Sequence, residues 1–202
     1  VAADSSTRLI GYLEYRLASA NRLTEYLALQ PASASAEPLR LRKQSAAAEW
    51  RVPPFVHHLL GDHARELTTA REYLRANPSR MTALGDVAIA LVALDSLSAV
   101  EASVATALTL PTIRTDENDL CDCKSAGSLM ATVASELDAH GHPAEARALY
   151  EQSLAWYRAP GPPMAAYDRL PRIAMILLAL ERWTEMVPVV DSLRNVRIAS
   201  DM

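Results

Sequence analysis

Residues 126 to 159, AGSLMATVASELDAHGHPAEARALYEQSLAWYRA, constrain the fold more than any other stretch, because they read as two helices laid together across a tight turn. Met130, Val133, Ala134 and Leu137 recur at three- and four-residue spacing, which places them on one helical stripe. Gly141 follows where a helix end needs a residue tolerant of positive φ, and Pro143 suits the first turn of a second helix. Ala146, Leu149, Tyr150, Ser153 and Leu154 then form a facing stripe, with Ala146 small enough for close approach.

The same turn recurs at Asn21, Gly61, Asp95 and Glu181. The intervals are 61 − 21 = 40, 95 − 61 = 34, 141 − 95 = 46 and 181 − 141 = 40 residues. Four residues before each turn stand Leu17, His57, Leu91, Leu137 and Leu177, and seven before stand Glu14, Pro54, Ala88, Ala134 and Ala174. The chain is therefore expected to be a string of about five helical hairpins, with units at about 6–30, 39–78, 79–111, 126–160 and 164–195 and an inserted loop at 112–125.

Within the segment at 126–159, a small residue at the eighth place, an apolar one at the eleventh, Gly at the fifteenth, Ala at the twentieth and an aromatic at the twenty-fourth resemble the tetratricopeptide repeat. Trp50 and Pro78 fall on that family's fourth and thirty-second places in the second unit. Departures are Met130 in place of Trp, Ser153 at the twenty-seventh place and a late closing Pro160. WRVPPFVHHLLGDHARELTTAREYL and ELDAHGHPAEARALYEQSLAWYRA are similar to the repeat segments of large bacterial multidomain proteins that carry sensor, kinase, winged-helix or propeller domains. The resemblance implies an all-α, right-handed α-solenoid spanning residues 1–202, with a scaffold or regulatory role.

Composition agrees with helix nearly throughout: half the residues are hydrophobic, with six Gly and one Phe, and no credible strand is visible. The net charge of −4 and the scattering of the 20 basic residues among acidic ones argue against a nucleic-acid partner. Lys43 and Lys124 are the only lysines, a bias that together with the alanine content points to a GC-rich bacterium. The most apolar run, Ile173 to Leu180, is far shorter than the roughly 20 residues of a membrane span, so direct membrane insertion is not expected. Val1 in place of Met points to processing or to an excerpt from a longer chain, which leaves the compartment open.

Local signals include helix caps at Ser5 to Thr7, a small-residue linker at 31–38, interruption by Pro53 and Pro54, a stop and cap at Asn77 to Ser79, and capping-box spacing from Ser98 to Glu101. The final residues, NVRIASDM, lack the polar solvating helix that usually closes such an array.

Residues that could carry chemistry have plain readings beside them. Cys121, Cys123, His140 and His142 are zinc-ligand types, but a CxC pair falls short of the usual two to four intervening residues, and the histidines flank a turn. A Cys121–Cys123 disulfide would close a strained ring, so free thiols or bonds to another chain are expected. Asp116, Glu117, Asn118, Asp119 and Asp122 lack the turn Gly of the familiar calcium loop and read as a solvated acidic loop. His57, His58 and His63 share no catalytic motif with a Ser or Cys, so no enzyme activity, cofactor or metal is expected.

What remains is a surface. The resemblance implies a concave face lined by first helices, whose ligand-contacting places hold Arg8, Tyr12, Tyr15, Arg51, Phe55, His58, Asp86, Ser135, Asp138 and Arg172. The expected partner is a peptide or protein segment in that groove. Two other readings stay open: a structural subunit joining copies of itself head to tail through uncapped ends, and a metal-binding protein using Cys121, Cys123, His140 and His142.

Overall fold

The computed structural model describes residues 54–111, 125–160 and 166–200, and among them the chain is entirely helical. The first expected unit, the linker at 31–38, Arg8, Tyr12, Tyr15, Arg51, Cys121 and Cys123 lie outside the described residues. Eight helices run in order: α1 (Pro54–Leu59), α2 (His63–Ala76), α3 (Met81–Ala93), α4 (Leu97–Ala107), α5 (Ala126–Ala139), α6 (Pro143–Arg158), α7 (Ala166–Ala179) and α8 (Trp183–Ser200). They fall in two compact units, divided between Asn77 and Pro78.

One turn joins each hairpin. Gly61, Asp95, Gly141 and Glu181, the positions marked in the sequence, adopt φ of 70°, 56°, 86° and 58°. Each donates its N–H three residues back, and the next residue donates five residues back. At Gly141 these bonds are Gly141 N–H to Asp138 O at 3.1 Å and His142 N–H to Leu137 O at 2.8 Å. At Glu181 they are Glu181 N–H to Leu178 O at 3.0 Å and Arg182 N–H to Leu177 O at 2.9 Å. This 5→2 and 6→1 pair is the Schellman arrangement, which uses two otherwise orphaned carbonyls to reverse the chain. The carbonyl accepting the bond from five residues on belongs to His57, Leu91, Leu137 or Leu177, the residue four before each turn.

Because the turn ends so sharply, the next helix starts two residues after the left-handed position: His63, Leu97, Pro143 or Trp183. That corrects the expected cap at Ser98. The turn at Asp95 makes Ser96 the N-cap, and Ser98 lies inside α4. Likewise Asn77 ends α2, as expected, but the N-cap of α3 is the extended Arg80 and not Ser79. Ser125, assigned to the inserted loop, is the N-cap of α5 and forms a reciprocal box with Ser128. The closing residues 195–200 belong to α8.

In the first unit α1 packs on α2. In the second, α3 packs on α4 and α5, α5 on α6, α6 on α7, and α7 on α8, so each hairpin of this unit packs on the next. Ala88 and Ala134 are fully buried, whereas Ala174, at the same register, is half-buried. Leu154 and Tyr157 of α6 join Ile173, Ile176 and Leu177 of α7 and Leu180 in one core, against which Met186 and Val189 of α8 pack.

α5 and α6 approach closely at Gly127. A Cβ on Gly127 would sit 2.4 Å from Trp156 Cε3 and 2.8 Å from Tyr157 Cε2. Ser153 Oγ donates to Gly127 O at 2.7 Å, and Ser125 Oγ lies 3.5 Å from Tyr157 OH. All these groups are buried except the half-buried Trp156, so the start of α5 is seated on backbone and hydroxyl contacts that admit no side chain. Gly127→Ala should therefore destabilise the protein by about 2 kcal/mol, despite the better helix propensity of Ala. A thermal melt by circular dichroism is expected to fall by about 5 °C; an unchanged or higher midpoint would contradict this packing.

Candidate functional site

Three places gather polar or exposed apolar groups. In the first unit, His58 on the last turn of α1 and His63 and Glu66 on the first turn of α2 converge across the turn at Gly61. Nδ1 of His58 lies 3.1 Å from both Glu66 oxygens, and Nδ1 of His63 lies 2.9 Å from Oε2. The two rings meet edge to face at 5.3 Å between centroids. Glu66 is 1 % exposed, and among the described residues these three form the only His, Cys or carboxylate group with metal-ligand proximity, all donor atoms lying within 4.8 Å of one another. Next to them His57 is half-buried, and burial pushes its pKa down.

In the second unit a groove of about 350 Å³ opens between α4 and α6. Leu97, Val100, Val104 and Leu108 supply one apolar wall, with Leu137 and Leu149 opposite. Glu101 and Glu145, both exposed, stand at its rim with Gln152. The groove separates the two hairpins whose turns are 141 − 95 = 46 residues apart, the longest interval in the chain.

The third place is the last hairpin. Met175 and Leu178 of α7 and Trp183, Val187 and Val190 of α8 are 41–65 % exposed, so α8 carries apolar residues on its outer face as well as on the inner one. Its N-terminus is held by charge: Arg182 donates to Glu185 and, at 2.7 Å, to Glu151 of α6, while Arg158 of α6 donates to Glu185 at 2.9 Å.

The residues expected to line a concave face are spread along both units. Phe55 and His58 are half-buried in the first, and His58 belongs to the histidine and glutamate group. In the second, Asp86 is half-buried and Ser135 and Asp138 are exposed. Burial is the main cause that raises the Tyr150 hydroxyl pKa, opposed by a hydrogen bond with Ser135 and assisted by the charge of Asp138. Arg172 is half-buried, which lowers its guanidinium pKa. The expected zinc candidates His140 and His142 engage different carboxylates: His140 Nε2 is 3.0 Å from Glu136, and His142 Nε2 is 3.1 Å from Asp95.

Glu66 and the α4–α6 groove were not singled out from the sequence. Glu66 was detectable as a departure from the expected Ala at the twentieth place of its repeat. The groove depends on the separation of two hairpins, and its one local sign is the apolar row from Leu97 to Leu108 on a second helix. Compared with known proteins, the chain matches no protein family and no curated relative.

The charge lattice on α8 yields a pH test. Arg182, then Arg158, holds the Glu185 carboxyl below its ordinary value of 4.5. A folded pKa below the unfolded one gives stability that is present above pH 4.5 and lost as pH falls through the folded value. Glu185→Gln should lower the urea midpoint at pH 7, and its difference from the parent should shrink as pH falls below 4.5. A difference that stays constant from pH 7 to pH 3 would show that Glu185 contributes through packing and not charge.

Proposed function

We propose that this chain is a non-enzymatic interaction scaffold, a tetratricopeptide-like right-handed solenoid that holds a peptide or protein segment. The observation that carries this reading is the α4–α6 groove, with an apolar floor and two exposed carboxylates at its rim. Such a surface suits an amphipathic helical segment whose apolar face enters the groove and whose Lys or Arg residues meet Glu101 and Glu145. The favoured seat lies on second helices, while Asp86, Ser135, Asp138 and Arg172 on first helices offer a second, more polar contact face.

Among the described residues no helix is long and apolar enough to cross a membrane. A structural role, with copies joined through their ends, is the second reading, favoured by the exposed apolar residues of the last hairpin. Light scattering against concentration separates the two, since growth past a dimer that Trp183→Glu abolishes belongs to assembly.

The scaffold reading is tested with labelled amphipathic peptides that share one apolar face and carry either lysine or glutamate on the other, by fluorescence anisotropy. The cationic peptide should bind in the micromolar range. Glu101→Lys with Glu145→Lys should weaken it about tenfold or more and favour the acidic peptide. Equal binding of both peptides, or no change in the double variant, would rule out this groove as the seat.

A further inference from the structure

The hairpins share one register, and the α1–α2 hairpin breaks it at a single buried place. Five residues past each left-handed turn residue stand Glu66, Val100, Ala146 and Met186. Val100 and Ala146 are 3 % and 2 % exposed, and Met186 packs on the core of the last hairpin. Glu66, at 1 %, puts a carboxylate into a seat that its counterparts fill with apolar side chains. Two residues past the turn, where the others carry Leu97, Pro143 and Trp183, stands His63; three before it, where they carry Val92, Asp138 and Leu178, stands His58.

Burying a charge is costly unless it is paired or ligated. Local rules broken without a compensating gain in packing mark places kept for function. The Nδ1 atoms of both rings meet the Glu66 oxygens. In the tautomers that carry the ring proton on Nε2, both Nδ1 lone pairs and the carboxylate would converge on a divalent cation, which would balance the buried charge.

We propose that His58, His63 and Glu66 form a binding site for a divalent transition-metal ion of the zinc class. Two nitrogens and one carboxylate are a donor set that zinc accepts, with a fourth position left for water. Tetrahedral bonds of 2.0 to 2.2 Å place neighbouring donors about 3.4 Å apart. The nitrogen-to-oxygen separations of 2.9 and 3.1 Å reach that value with small side-chain rotations. His63 and Glu66, three apart on one helix, present donors on one face, and His58 closes the set from across the turn. The fourth position opens where the two rings reach the surface, their side chains being 26 % and 21 % exposed. The imidazole donors select against calcium and magnesium, which prefer oxygen. This site stands apart from the scaffold reading and from the pairing of cysteines with His140 and His142.

The test is calorimetric titration of the full chain with zinc chloride alone, in the background Cys121→Ser, Cys123→Ser so that thiolates make no contribution. One zinc per chain, with a dissociation constant in the micromolar range or tighter, is expected. His63→Ala should weaken binding on the order of 100-fold, the upper end of what loss of even an outer partner costs. Cobalt in place of zinc should give visible bands of nitrogen and oxygen ligation with no thiolate charge-transfer band in the parent chain. Glu66→Gln should also abolish binding. Should Glu66→Gln fail to fold, the half-exposed His63→Ala carries the test. Absence of zinc binding in the serine background, or binding unchanged by His63→Ala, overturns the proposal.

Discussion

A backbone turn with two hydrogen bonds and one left-handed residue sets the geometry on which the rest of this protein depends. At Gly61, Asp95, Gly141 and Glu181 the chain ends one helix and starts the next within two residues. The reversal is so short that the second helix must pack on the first, and the side chains that meet are fixed by counting from the turn. The residue four before and the residue five after fall on the inner side of three hairpins: Leu91, Leu137, Leu177, Val100 and Ala146 are buried, and Met186 packs against the core that holds Leu177. Asp95 and Glu181 hold φ near 57° without being glycine, so backbone pairing outweighs the steric cost of roughly 1–2 kcal/mol that a side chain meets there.

Once the register is fixed, differences between hairpins carry the information. α5 and α6 approach closely enough that Gly127 admits no side chain; Ser125, Ser128 and Tyr157 hydrogen-bond in the space, and Ser153 donates to the Gly127 carbonyl. α4 and α6, separated by the longest interval between turns, leave an apolar groove with an acidic rim. α7 and α8 share a firm inner core yet expose Met175, Trp183 and Val187. The α1–α2 hairpin puts Glu66 at a core position, with the half-buried His58 and His63 against it. Packing constraints that the hairpins have in common thus account for the scaffold, and local exceptions account for the candidate sites.

The turns were legible because they follow from short-range rules: an apolar residue at the helix end, a small or polar residue at the reversal, and a proline or acidic residue soon after. Even without glycine, Asp95 and Glu181 were found by the spacing of Leu91 and Leu177. The cap at Ser98 was misplaced because Ser96 and Ser98 have the same chemistry, and only the turn two residues upstream decides between them. The helix start at Ser125 was hidden by the insertion that precedes it. His140 and His142 looked like a ligand pair by spacing, yet one reaches back along its own helix to Glu136 and the other reaches Asp95 on the preceding turn. Glu66 stands out by register and not by motif spacing, since the same place in the other hairpins holds Val100, Ala146 and Met186.

The central claim, that left-handed turn residues govern the fold, is tested most directly by urea unfolding of Gly141→Ala and Glu181→Gly. A Cβ at Gly141 meets nothing within 4 Å, so the substitution changes backbone strain alone. The account predicts that Gly141→Ala lowers stability by about 1 kcal/mol and that Glu181→Gly raises it by about 0.5 to 1 kcal/mol. A neutral or stabilising Gly141→Ala, or a destabilising Glu181→Gly, would contradict it.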